Sequence, residues 1–272
     1  MLSEEMEVFT KDNLDRYLSE LSKEYKKLGG RNTPVEIVLI GGAAVIESYG
    51  FRDMTTDIDA ILPAASIMKD AIQRVAVRNG LPEDWLNADF ILTASYSSRL
   101  NSHSVFYKTF NQVLYVRMIT GEYLIAMKLR AGRQYKNDLS DVVGILNEHE
   151  KKGAPISFEM IDKAVKELYG GWERFPQRSI AFIQKALSKK NYELLYQQTR
   201  NSEQQAEKTL LSFEKVHGMV QEEKIDSILE PGMNKYSKPS LLKRLNEYKK
   251  QQTTKSSSSP NPKREHNNRD EP

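Results

Sequence analysis

The chain has 272 residues, of which 39% are hydrophobic and 28% charged, and its net charge is +3. This length allows one large hydrophobic core or two smaller domains, and the composition is ordinary for a soluble protein. No apolar run approaches the roughly 18 to 20 residues that span a bilayer, and the first residues are acidic and polar, so we expect a cytoplasmic protein that does not enter a membrane. With no cysteine and only four histidines, the chain can form neither disulfides nor thiolate zinc sites, and we expect any metal to have mainly oxygen ligands.

The N-terminal half alternates helical and extended patterns, which is typical of an α/β domain. Apolar residues at three- and four-residue spacing predict helices, and a nearly continuous apolar run predicts a strand covered on both faces. The predicted elements are a helix at 12–28, a strand at 35–40, a short helix at 43–49, a strand at 57–62 and a helix at 67–79. The turn Gly41-Gly42 joins the first strand to the short helix.

The rest of this domain is harder to interpret. Residues 87–109 mix serine, asparagine and aromatic residues without a firm period, which indicates a loop with short strand pieces. After them we predict a strand at 113–119 and helices at 123–133 and 138–150. The fold class is therefore α/β (α+β), with a small mixed sheet flanked by helices, and we expect this first domain to cover residues 1–153.

Beyond Pro155 the pattern changes to helices alone, and we predict a helical domain over residues 154–250. Ser157 caps a predicted helix that reaches residue 169, and a long helical stretch at 178–216 has a turn near Asn201 and Ser202. Residues 234–272 carry about six more positive than negative charges. Residues 251–272 contain almost no apolar side chains, so we expect a disordered basic tail. Such a tail can attract a phosphate backbone or simply aid solubility.

Two features carry the chemistry. A glycine pair after a buried strand lets backbone N–H groups approach phosphate oxygens, although it can also be only a tight turn. Alternation along the predicted strand places Asp57 and Asp59 on one face, with Ile58 turned into the core. Two carboxylates this close repel each other unless a cation lies between them, and this arrangement suggests Mg²⁺ bound by Asp57 and Asp59.

The glycine pair, an intervening helix and Thr56-Asp57-Ile58-Asp59 resemble the signature of the DNA polymerase β-like nucleotidyltransferase superfamily. Residues 122–141, with Lys128 and Asp141, are similar to the downstream block of the AbiEii-type nucleotidyltransferases, the toxins of certain abortive-infection toxin–antitoxin pairs. Gly42 stands where other members have a serine. The resemblance implies that Asp57, Asp59, Lys128 and Asp141 are catalytic, and that Gly41, Gly42, Thr56, Lys128, Arg130 and Asp138 bind nucleotide.

Several roles stay open at this stage. The third carboxylate of the site is Asp89, Asp138 or Asp141, and the resemblance favours the pair on the helix. Asp138 also suits a helix N-cap. By sequence alone, the ammonium of Lys128 either extends to solvent or lies near phosphate, and the resemblance favours phosphate. Arg130 either binds phosphate or is solvated.

The resemblance implies transfer of a nucleotide from an NTP to an acceptor, with Mg²⁺ as the cofactor and release of pyrophosphate. The acceptor is RNA, such as a tRNA 3′ end, a protein side chain or a small molecule, and an antitoxin is an expected partner. Two other classes of function remain. The chain is alternatively a non-catalytic nucleotidyltransferase-like binding module, or a helical protein that binds nucleic acid through its basic tail.

Overall fold

The computed structural model describes residues 8–229, and these form helices around two small sheets. The strands are β1 (Phe9–Thr10), β2 (Val35–Leu39), β3 (Met54–Thr55), β4 (Ile58–Ile61), β5 (Leu86–Asn87), β6 (Ser104–Phe110) and β7 (Leu114–Ile119). The helices are α1 (Lys11–Lys27), α2 (Gly41–Ser48), α3 (Ser66–Asn79), α4 (Gly121–Ala131), α5 (Asp138–Lys151), α6 (Phe158–Tyr169), α7 (Gln177–Lys189), α8 (Tyr192–His217) and α9 (Glu222–Leu229). The predicted α/β class is confirmed.

The larger sheet has the strand order β5-β4-β2-β7-β6 and mixes parallel and antiparallel neighbours, as predicted. Strand β2 lies at its centre, antiparallel to β4 and parallel to β7. Strands β4 and β5 run parallel, with Asp59 opposite Asn87. The carboxyl end of β2 therefore lies beside the start of β4, and this brings the glycine turn close to the Asp-x-Asp segment.

The core lies on both sides of this sheet. Ile37 and Leu39 of β2 belong to an apolar cluster with α1 and α3, whereas Val38 and Ile40 belong to a second cluster with α4, α5 and α6. Because successive strand residues point to opposite faces, this division confirms the prediction of a strand covered on both sides. Within residues 8–229, none of the helices combines the length and the apolar character that crossing a membrane requires.

Residues 87–109 form a loop with strand pieces, as predicted, but the last piece belongs to β6, a seven-residue strand at the edge of the sheet. Partial exposure of both faces of β6 and a bulge between Phe106 and Lys108 hide its alternation. Two other local predictions were wrong. The break in the long helical stretch falls at Lys190, which has φ +48°, and not near Asn201. Strand β4 begins at Ile58, so Asp57 precedes the strand and does not share it with Asp59.

The chain divides into two compact units after Ser212. In the first unit, α6 and α7 pack into the same apolar cluster as α4 and α5. The described part of the second unit contains the end of α8 and helix α9. The domain boundary near residue 153 stays a prediction, and the basic tail at 251–272 lies outside the described residues.

Candidate active site

A cleft of about 380 Å³ lies where α2, β4, α4 and α8 meet. Of the sequence-predicted residues, the cleft brings together the glycine turn, the Asp-x-Asp segment, the lysine of α4 and the first residue of α5. The complete lining is Gly41, Gly42, Arg52, Met54, Thr55, Thr56, Asp57, Asp59, Phe90, Ser95, Leu124, Met127, Lys128, Ala131, Arg133, Tyr135, Lys136, Asn137, Asp138, Arg200, Gln204 and Glu207.

Glycine is required at the first position of the turn for two reasons. Gly41 opens α2 with φ +56°, a left-handed conformation that is costly for residues with a side chain. A Cβ at this position would also lie 2.9 Å from Asp59 Oδ2. The backbone of the turn therefore passes directly beside a site carboxylate, and the N-terminal amides of α2 can reach an anion bound there.

At Gly42, the position that differs from the superfamily pattern, a neighbouring residue on β3 leaves no room for a side chain. A Cβ on Gly42 would lie 2.3 Å from Thr55 Oγ1 and 2.9 Å from Thr55 Cβ, so a serine cannot fit without moving β3. The Thr55 hydroxyl accepts a hydrogen bond from Arg52 Nη2 at 3.3 Å and donates one to Asp57 Oδ1 at 3.4 Å. A hydroxyl is therefore present at this corner of the cleft, but it comes from Thr55.

The Asp-x-Asp segment places two carboxylates at the mouth of the cleft. Asp57 and Thr56 are exposed in the turn between β3 and β4, and Asp59 is half-buried on β4. Burial and then the charge of Asp57 raise the pKa of Asp59 to about 6. The charge of Asp57 thus disfavours ionisation of Asp59, and a cation bound between them would relieve this repulsion.

These carboxylates suit Mg²⁺ together with a triphosphate, because Mg²⁺ commonly takes one or two protein carboxylates and completes its shell with phosphate and water oxygens. Within residues 8–229, no group of three or more acidic, histidine or cysteine side chains forms a metal site on its own. The donor set therefore fits a metal that arrives with the nucleotide.

Lys128 lies at the floor of the cleft in a buried charge network. Its Nζ is 2.9 Å from Asp141 Oδ2 and 3.3 Å from Asp138 Oδ1. Burial lowers the pKa of Lys128, but the two carboxylates outweigh burial, so the net pKa is raised and the side chain stays charged. Arg52 Nη1 contacts Asp141 Oδ2 at 2.8 Å, and Arg133 Nε contacts Asp138 Oδ2 at 2.9 Å.

The network determines the roles of the two α5 aspartates. Asp138 lines the cleft as the first residue of α5, whereas the N-cap is Asn137, so the N-cap interpretation of Asp138 was wrong. Burial raises the pKa of Asp138, but Lys128 and Arg133 outweigh burial and hold the pKa below its usual range. Asp141 does not line the cleft and lies behind Lys128. Both aspartates are positioned to hold Lys128 in place.

The two remaining candidates, Asp89 and Arg130, do not line the cleft. Asp89 is exposed just after β5, and its charge contributes to the raised pKa of Asp59, which places it on the same side as the Asp-x-Asp segment. Arg130 is turned away from the cleft. Its guanidinium donates to the carbonyl of Arg174 and lies 5.8 Å from the ring centre of Phe175.

Sequence reasoning missed several residues that line the cleft. Arg52 and Thr55 lie just before the Asp-x-Asp segment, but no motif marks them. Lys136 and three side chains of α8 also line the cleft. The only sequence signal for the α8 residues is their spacing of four and three, which places Arg200, Gln204 and Glu207 on one helical face.

Comparison with known families agrees with this geometry. A family model described as a nucleotidyltransferase of unknown function (DUF6036) matches residues 16–167, more than half of the chain. The chain belongs to this family. The DUF6036 segment contains the glycine turn, both carboxylates of the Asp-x-Asp segment and the Lys128 network, and it ends before α8. The predicted nucleotidyltransferase superfamily is confirmed at this level. No curated protein and no solved structure matches the chain.

Proposed function

We propose that the protein transfers a nucleotide from an NTP to an acceptor in a reaction that depends on Mg²⁺. One observation carries the proposal. The backbone of Gly41, the carboxylates of Asp57 and Asp59 and the ammonium of Lys128 all face one cleft, with Asp59 Oδ2 close to the glycine turn. This combination provides amides and a cation for phosphates and two carboxylates for a metal.

Each group has a distinct task in binding. The N-terminal amides of α2 contact phosphate oxygens of the NTP, and Lys128 with Arg133 adds positive charge to the same cleft. Asp57 and Asp59 hold Mg²⁺, which when bound neutralises charge on the triphosphate and on the pyrophosphate that leaves. Asp138 and Asp141 keep the Lys128 side chain from turning away, since both are buried against it.

The transfer is an in-line substitution at the α-phosphorus. An acceptor oxygen forms a bond to this phosphorus while the bond to the bridging oxygen breaks, and pyrophosphate leaves with the electron pair. The acceptor proton passes to solvent at the open mouth of the cleft. The protein contributes mainly by positioning and charge stabilisation, because this reaction requires no covalent intermediate on a side chain.

The proposed acceptor is RNA, such as a tRNA 3′ end, or a protein side chain. The cleft supports a polar acceptor because Lys136 is exposed on its wall. The similarity of residues 122–141 to the AbiEii-type block supports a role as the toxin of a toxin–antitoxin or phage-defence system. A small DNA-binding antitoxin encoded by the neighbouring open reading frame would support that role, and an unrelated neighbour would count against it.

The test is transfer of label from α-³²P-labelled NTPs into bulk RNA or protein, with and without Mg²⁺. Transfer should require the metal and be lost in Asp57→Ala and Asp59→Ala. The control is Asp53→Ala, because Asp53 is exposed nearby and does not line the cleft. Binding of NTP without any transfer would instead indicate a binding module. If the protein binds neither Mg²⁺ nor NTP, the proposal fails.

A further inference from the structure

Helix α8 forms a wall of the cleft, although it lies outside the segment that matches the nucleotidyltransferase family. Arg200, Gln204 and Glu207 follow one another at four- and three-residue spacing, so they lie on one face of the helix. All three line the same cleft as Asp57 and Asp59. This wall has no role in the transfer described above.

The wall is fixed to the start of α5 by buried contacts. Glu203 Oε1 accepts hydrogen bonds from the backbone N–H of Leu139 at 2.8 Å and of Ser140 at 3.2 Å. The side chain of Glu203 is buried. One turn earlier, Arg200 Nη1 donates to Asn137 Oδ1. Because α5 also carries Asp138, the cleft-facing side of α8 has a defined position relative to Lys128.

Two polar side chains on this face are available to a ligand. Gln204 and Glu207 are exposed, and neither side chain forms a hydrogen bond or ion pair with another residue in the described part of the chain. An amide both donates and accepts hydrogen bonds, and a carboxylate accepts them. Phe90 and Tyr135 add aromatic surface to the same cleft. A cleft that offers both hydrogen-bonding groups and aromatic rings suits a nucleobase, which has a polar edge and two flat faces.

We propose that Gln204 and Glu207 recognise the nucleobase of the NTP, with Glu207 accepting hydrogen bonds from N–H groups on the edge of the base. This inference rests on the proposed function, which places the triphosphate at the glycine turn. Guanine matches the pair best, because it presents two adjacent N–H donors to a carboxylate and a carbonyl oxygen to the amide. Both residues therefore determine which NTP is used and take no part in the chemical step.

The experiment compares binding of the Mg²⁺ complexes of the four NTPs and of inorganic tripolyphosphate, measured by calorimetry. Tripolyphosphate reports on the phosphate site alone. Glu207→Gln and Gln204→Leu should each lower the affinity for GTP about tenfold, the loss expected for a hydrogen bond that involves a polar or charged side chain. The affinity for tripolyphosphate should change by less than about twofold, because the phosphate contacts are intact.

Matched controls come from the same helix. Glu193→Gln and Gln205→Leu repeat the two substitutions at exposed positions that do not line the cleft, and they should leave all affinities unchanged. The inference is overturned if the cleft variants weaken the binding of GTP and of tripolyphosphate equally, or if they leave the binding of GTP unchanged. Failure of the proposed function is distinguishable from both results, because the unsubstituted protein would then either bind neither tripolyphosphate nor any NTP, or bind NTP without transferring label.

Discussion

Replacing Asp141 by asparagine should destabilise the fold because two cations lose their shared partner. Asp141 Oδ2 lies 2.9 Å from Lys128 Nζ and 2.8 Å from Arg52 Nη1. The side chain of Asp141 is 2% exposed and that of Lys128 is 11% exposed, so water replaces the lost charge poorly. Removing one member of a buried ion pair costs about 3–5 kcal/mol. Since Lys128 keeps Asp138 at 3.3 Å, we expect the lower end of that range, about 3 kcal/mol.

Thermal unfolding followed by circular dichroism measures this loss. For a unit of this size, each kcal/mol lowers Tm by about 2–4 °C, so Asp141→Asn should lower Tm by about 9 °C. The control is Glu148→Gln, which removes the charge from an exposed pair with Lys151 and should cost less than about 1 kcal/mol. If Asp141→Asn unfolds at the same temperature as the control, the buried network does not stabilise the fold and the reasoning is wrong.

Two further predictions concern packing and pH. Gly42→Ala places a Cβ 2.3 Å from Thr55 Oγ1 and should lower the free energy of unfolding in urea by about 1–3 kcal/mol. The control Gly50→Ala meets nothing within 4 Å and should leave this free energy unchanged. Equal losses in the two variants would contradict the packing explanation for Gly42. Burial raises the pKa of Glu203 to about 8 from an ordinary value of 4.5, so the folded chain keeps a proton that the unfolded chain has lost. The contribution of Glu203 to the free energy of unfolding is full below its unfolded pKa of 4.5 and is lost as pH rises towards 8. In Glu203→Gln, the free energy of unfolding should therefore fall less steeply between these two pH values. An unchanged slope would contradict this prediction.

The local parts of the site could be predicted from the sequence because short-range patterns determine them. The apolar run of β2, the glycine pair and the Asp-x-Asp segment lie within 25 residues, and the mixed sheet brings them together. The helix periods around Lys128 and Asp141 were equally clear. Their mutual contact follows because α4 and α5 are sequential helices that pack against each other.

The missing parts depend on long-range packing that no local pattern encodes. Arg52 contacts Asp141 across 89 residues, and Glu203 contacts Leu139 across 64. The role of Thr55 in excluding a serine at Gly42 becomes visible only when β3 lies against α2. The edge strand β6 has partly exposed faces and a bulge, so its alternation is too weak to detect. Arg130 is on a predicted site helix, but the contact of its guanidinium with Arg174 turns it away.

The central claim is that the cleft transfers a nucleotide and not a phosphate group. The most direct test supplies the protein with Mg²⁺, with bulk RNA or protein as the acceptor, and with NTP labelled with ³²P at either the α- or the γ-position. Label from the α-position should enter the acceptor and label from the γ-position should leave as pyrophosphate, with both signals absent in Asp57→Ala. Entry of γ-label into the acceptor would show phosphate transfer and would contradict the account.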